Sequence, residues 1–294
     1  VRIDAHHHLW DLRRRTHAWL DAPESTAIRR DFGMAELTPH ARAAGIGGTV
    51  LVQVLPDAAE TREFLALAVG EPLVAGVVGW ADLTAPGIAD TLADLRRGPG
   101  GDLLVGVRHL VQGEADPAWL VRPDVRRGLR AVGRAGLCYD LLTLPHQLPA
   151  AIATVRALPG QSFVLDHLSK PPIARGELEP WAGLLRELAR ESGVFCKLSG
   201  LVTEADRDRW SVTSLRPYAE TALDAFGPER VMFGSDWPVC LTAASYEQVV
   251  RTAEELTDGL GPDEHAQVFG GTAARVYGLG TPNASGAGAG GEPA

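Results

Sequence analysis

The sequence predicts an α/β fold, a (β/α)8 TIM barrel. Short apolar or β-branched runs recur at intervals of roughly thirty residues, and segments with helical spacing separate them. No shift in composition divides the chain, so one barrel over 1–280 is expected.

Eight runs read as strands: Arg2–His8, Thr49–Val54, Val74–Trp80, Leu104–His109, Leu137–Leu142, Ser162–His167, Val194–Leu198 and Arg230–Ser235. Several are continuously apolar, as expected where parallel strands are covered by helices. Between them, Trp181, Leu184, Leu185 and Leu188 follow helical spacing, as do Leu215, Tyr218, Ala222 and Phe226. Gly227-Pro228 stops the second of these helices, and Ser245 with Gln248 forms a capping-box pattern for another. The longest gap, between the first and second strands, contains the loop Trp10–Gly33, placed where barrels build their pockets. The segment 281–294 has ten Gly, Ala or Pro in fourteen residues and reads as a disordered tail.

The 294 residues include 45% hydrophobic and 22% charged side chains, with a formal charge of −9. This acidic balance, without a dense basic run, speaks against nucleic-acid or anionic-membrane partners. No apolar stretch is long enough to span a bilayer. Asp4 stands where a signal peptide would need an apolar run, so no leader is expected. The three cysteines, Cys138, Cys196 and Cys240, form no CxxC pair and suit a reducing cytoplasm. An outer ring of helices in such a barrel often pairs with a second copy, which makes a homo-oligomer possible, though the sequence does not fix the oligomeric state.

The first strand carries Asp4-Ala-His6-His-His8-Leu-Trp10. Strict alternation places Asp4, His6 and His8 on one face and His7 on the other. The sixth strand ends in Asp166-His167-Leu-Ser-Lys170, the eighth in Gly234-Ser235-Asp236-Trp237-Pro238. In a barrel these C-terminal ends meet around one mouth. His6, His8, His167 and Asp236 can then gather as a three-histidine, one-carboxylate cluster, a donor set suited to zinc and its neighbours. Alone, each residue is more often structural; their convergence from strands one, six and eight reverses that balance.

Only two lysines occur, Lys170 and Lys197, against 26 arginines. Both lie at strand ends and are expected in the pocket, since a compact ammonium does what a planar guanidinium cannot. On the fourth strand, Arg108 and His109 cannot both face the axis. Arg108 suits a substrate carboxylate, hydroxyl or developing oxyanion, with an interstrand ion pair as the other reading. That strand offers no lysine to bridge two metals, favouring a mononuclear or metal-free site. Trp10, Trp80 and Trp237 near strand ends suit stacking on a sugar-like ring, or core packing. Gln53, ending the second strand, is a candidate hydrogen-bonding partner, as is His109 at the rim.

These residues together resemble the amidohydrolase superfamily, and within it the lactonase branch. The matching segments are Ile3-Asp-Ala-His-His-His-Leu-Trp10, Gly106-Val-Arg-His109, Cys138-Tyr-Asp-Leu-Leu142, Leu165-Asp-His-Leu-Ser-Lys-Pro171, Cys196-Lys-Leu-Ser-Gly200 and Met232-Phe-Gly-Ser-Asp-Trp-Pro238. The likeness runs to about Leu279. It implies an amidohydrolase-type barrel, with His6, His8 and His167 as the metal-binding or carbonyl-polarising set and Asp236 as catalytic base. One divalent ion, zinc first, would sit on His6, His8, His167 and Asp236; the imidazoles acting without a metal are the other option. Near the C-terminus Thr272 stands where relatives commonly have Asn.

The expected activity is hydrolysis of a small polar lactone, a sugar-acid lactone of the L-fucono- or L-rhamnono- type, in carbohydrate catabolism. Asp236 would activate water, His167 and Arg108 would assist at the carbonyl, and Lys170 and Lys197 would bind substrate oxygens. A metal-dependent decarboxylase of an aromatic or unsaturated acid, with Arg108 holding the carboxylate, is the competing enzyme. A non-catalytic ligand-binding barrel is the third reading; a base beside three histidines and cationic clamps argues against it.

Overall fold

The computed structural model describes residues 1–280, so the Gly/Ala/Pro-rich segment 281–294 lies outside the described residues. Eight parallel strands run β1 (Arg2–His7), β2 (Ile46–Val52), β3 (Val74–Gly79), β4 (Leu104–His109), β5 (Cys138–Leu141), β6 (Phe163–Leu165), β7 (Val194–Leu198) and β8 (Val231–Phe233). Each hydrogen-bonds to the next in chain order. The circle is completed beyond the end of β8, where His8 N donates to Trp237 O at 2.7 Å and Asp236 N to His6 O at 2.8 Å. This is the expected (β/α)8 barrel.

Two apolar layers hold it. Inside, Ile3, Ala5, Val50, Val78, Val164 and Met232 fill the barrel. Outside, the opposite strand faces, including Leu51, Val77, Val107, Leu165 and Phe233, pack under the helices. That two-sided burial is why the strands are apolar throughout. The helix Thr272–Tyr277 lies across the strand starts and sends Tyr277 into the interior, where its hydroxyl donates to Asp140 Oδ2 at 2.8 Å. Thr272 is buried and donates to Glu229 O at 3.0 Å, tying this closing helix to the entry of β8.

The helices follow the expected patterns. Trp181–Ala189 and Val212–Phe226 bury the predicted stripes, Leu184 only partly, and the second ends at Gly227. Ser245 caps Tyr246–Leu256, accepting from Gln248 N in the expected box. Several strands are shorter than expected; β6 stops at Leu165 rather than His167, and β8 at Phe233 rather than Ser235. No helix among the described residues is long and apolar enough to cross a membrane.

Candidate active site at the barrel mouth

The histidines of β1 reach the mouth through a break in alternation. Against β2, Asp4 pairs with Thr49 and His7 with Leu51, so β1 spends one extra residue. Such a bulge re-aims the side chains on either side of it. Ile3 and Ala5 therefore point into the barrel, while Asp4 turns out and accepts from Tyr246 Oη at 3.1 Å and Ser235 N at 2.8 Å. Strict alternation had put Asp4 on the face of His6 and His8, and the bulge corrects that. His7 lies outside against Thr49 Oγ1 at 3.0 Å, leaving His6 and His8 at the mouth.

His167 arrives by a different route. His167, Leu168, Ser169 and Lys170 all have positive φ, between 52° and 59°. Left-handed backbone costs an L-residue about 1–2 kcal/mol each, so this run must be held by its surroundings. Trp181 Nε1 donates to Leu168 O at 2.6 Å, and Thr143 Oγ1 meets Ser169 Oγ at 2.8 Å. The turn ends β6 early, swings His167 to the mouth and places Lys170 on the cavity wall. Gly200 is needed beside it, since a Cβ there would lie 2.8 Å from His167 Nδ1. Asp236 also has positive φ, 57°, just past β8.

Around Asp236 Oδ1 stand His8 Nε2 at 3.5 Å, His6 Nε2 at 3.7 Å and His167 Nε2 at 4.0 Å. The remaining ring nitrogens are anchored. His8 Nδ1 donates to Val52 O at 2.8 Å, which turns its Nε2 toward the mouth, and His167 Nδ1 meets Ser199 Oγ at 2.8 Å. Burial lowers the pKa of His167 to about 4 against the pull of Asp236 and Asp166. His6 falls well below its ordinary value, through burial and then the charge of Lys197. Burial would raise Asp236, but His167 and His8 outweigh it and hold its carboxyl below the ordinary range. Neutral His6 and His167 imidazoles therefore stand beside an ionised carboxylate.

That chemistry fits a metal. Donor atoms of His6, His167 and Asp236 all lie within 4.8 Å of one another, and the three can hold a divalent ion. His8 borders this group through its contact with His6 Nε2 at 3.1 Å.

Beneath the mouth lies a second, sealed set of charges. Lys197 Nζ donates to Asp140 Oδ2 at 2.6 Å and lies 3.0 Å from Asp166 Oδ1 and 3.1 Å from His6 Nδ1. Burial disfavours its charge, yet Asp140 and Asp166 outweigh burial and keep the ammonium protonated. Arg108 Nη1 donates to Asp166 Oδ2 at 3.0 Å and approaches His6 Nε2 at 3.3 Å; its Nη2 donates to the carbonyl and side-chain oxygens of Gln53.

A cavity of about 320 Å³ opens above, lined by His8, Arg108, His167, Lys170 and Asp236 among others. Several expected contact residues do not line it. Lys197 is fully buried below His6, and Gln53 braces Arg108 instead of facing the cavity. His109 turns outward, accepting from Trp80 Nε1 at 3.0 Å and stacking on Trp119. Trp237 is buried against Phe32. Trp10 lines a larger groove of about 800 Å³ on the far side of its loop, where the cation of Arg15 is spent on Asp57 and Glu63. None of the mouth's ionisable cluster reaches that groove, so the smaller cavity is the candidate site. The tryptophan on its wall is Trp19, from the short helix Ala18–Asp21, which sequence reasoning missed. So were Asp140 and Asp166, both visible beside the motif residues, and Tyr277, which carried no sequence signal.

A family profile described as amidohydrolase matches residues 3–279. The chain belongs to the amidohydrolase family. It is 40% identical over 293 residues to an L-fucono-1,5-lactonase of Burkholderia multivorans, covering 96% of this chain and 97% of that protein. A solved structure of a Burkholderia multivorans amidohydrolase with bound zinc superposes with a TM-score of 0.90 at 40% identity, covering 95% of this chain and 100% of that one. The 5-carboxyvanillate decarboxylase of Sphingomonas paucimobilis, at 16% identity and a TM-score of 0.63 over 95% of this chain and 96% of that one, shares the fold alone.

Proposed function

We propose that the protein hydrolyses a sugar-acid lactone, of the L-fucono-1,5-lactone type that the Burkholderia multivorans relative acts on. The observation that carries this reading is the ionised Asp236 within 4.0 Å of three imidazoles, at the base of a cavity of about 320 Å³. A pocket at the lower end of the usual ligand range, ~300–1,000 Å³, suits one sugar ring.

Asp236 takes a proton from water, and the oxygen attacks the lactone carbonyl. Arg108 and the imidazole of His167 line the cavity and face the oxygen that gains charge, with His6 buried behind them. A divalent ion, when bound by His6, His167 and Asp236 with His8 beside them, would supply Lewis-acid polarisation. The ring C–O bond then breaks, and Asp236 returns its proton to the leaving ring oxygen. The product is an open-chain hydroxy acid, which ionises in solution. Lys170, paired with Glu204 at 3.3 Å on the cavity wall, is placed to meet substrate hydroxyls or the new carboxylate. Lys197 acts from below, through His6 and Asp166. Three buried free cysteines support a reducing, cytoplasmic setting.

The test is acid release, followed with a pH indicator, from a panel of sugar-acid and dicarboxylate lactones. Rapid release from one sugar lactone is expected. Silence across the panel, with carbon dioxide evolved from an aromatic acid, would replace the lactonase reading with the decarboxylase one.

A further inference from the structure

We propose that Trp19 is the ring-stacking residue of this cavity and that its segment, Ala18–Ile28, sets which lactones fit. The inference rests on the sugar-lactone reading and adds the residue that recognises the ring.

Trp19 keeps 37% of its surface exposed, while Trp10, Trp119, Trp181 and Trp237 are buried. Its indole lines the reaction cavity, where an uncovered aromatic surface favours a ligand able to cover it. The ring is also held in place. It stands edge-on to Trp10, with centroids 5.3 Å apart at 89°, and Trp10 Nε1 is anchored on Arg30 O at 2.7 Å. Across the mouth, Arg207 from the loop after β7 donates to Glu24 O at 3.0 Å. A pre-set aromatic loses little freedom on binding.

The remaining lining carries both chemistries. Ala22, Leu110 and Val239 add apolar lining to that of Trp19, while Gln112, Lys170 and Glu204 offer polar groups. A sugar lactone carries both as well, with C–H bonds on one ring face and hydroxyls at its edges. Stacking that face on the indole leaves the hydroxyls for the polar groups. Lactones without a flat C–H face lose this contact.

Acid release from the preferred sugar lactone tests the proposal in wild type, Trp19→Ala and Trp19→Phe. The alanine variant should raise KM about tenfold with kcat within about twofold, and phenylalanine should restore most of the loss. Adding lactone to Asp236→Asn should change indole fluorescence, and Trp19→Phe in that background should abolish most of the change. An unchanged KM in a folded Trp19→Ala protein overturns the proposal, as does a fluorescence change that survives Trp19→Phe. If wild type opens no sugar lactone, the underlying reading fails; if it does and Trp19→Ala matches it, only this inference fails.

Discussion

Two charged clusters lie one above the other in this barrel, and they differ in what they leave unpaired. The lower one, Asp140, Asp166 and Lys197, is sealed, and its groups meet one another, Arg108, His6 and Tyr277. In the upper one, His8, His167 and Asp236 face a cavity with His6 buried just behind them, and contacts to the carboxylate run from 3.5 to 4.0 Å. Closely ion-paired buried charges fix geometry; loosely partnered ones at an opening have capacity left for a substrate or an ion. In the proposed reaction the lower cluster therefore positions and the upper one reacts.

Breaking the lower cluster should cost most in stability. Lys197→Met leaves Asp140 and Asp166 buried without their ammonium, which should destabilise the fold by about 3–5 kcal/mol in denaturant titration. The upper cluster should respond to metal instead. Zinc added to chelator-stripped protein should raise stability by RT ln(1 + [Zn]/Kd), about 2.7 kcal/mol at a hundredfold excess over Kd, and His167→Ala should remove most of the gain. A melting-temperature titration of both proteins checks this.

Tyr277→Phe is a gentler cut. It removes one hydroxyl from Asp140, so a loss of about 1.5–3 kcal/mol is expected by denaturation, with KM unchanged because the residue sits at the barrel floor.

A pH titration separates both clusters from a buried acid outside them. Glu60 accepts from Val54 N at 2.8 Å and Leu55 N at 3.0 Å, and burial raises its pKa from 4.5 to about 7. The folded state then holds a proton that the unfolded chain has lost, so this group's contribution to stability falls as pH rises between 4.5 and 7. Between pH 5 and pH 8, wild type should lose more stability than Glu60→Gln; equal losses would remove Glu60 as the source.

Much of this was legible in the sequence, because strand ends in a parallel barrel converge whatever lies between them. His6, His8, His167 and Asp236 needed only that rule. Asp4 was misplaced because a bulge leaves no mark in a two-residue period. The scarcity of lysine located both buried and cavity-lining cations, Lys197 and Lys170, without separating their roles. Tryptophan type could not tell which indole faces the cavity, since Trp10, Trp80 and Trp237 are taken up by neighbouring aromatics and Trp19 stands in a loop with no periodicity.

The division between the clusters is tested most directly by Asp236→Asn, assayed for acid release from the preferred lactone beside its denaturation midpoint. The predicted result is a fall in kcat of about 10²–10⁴ with the fold intact, since amide and carboxylate are close in shape but only one accepts the proton. Turnover near wild type in a folded Asp236→Asn protein would contradict the account.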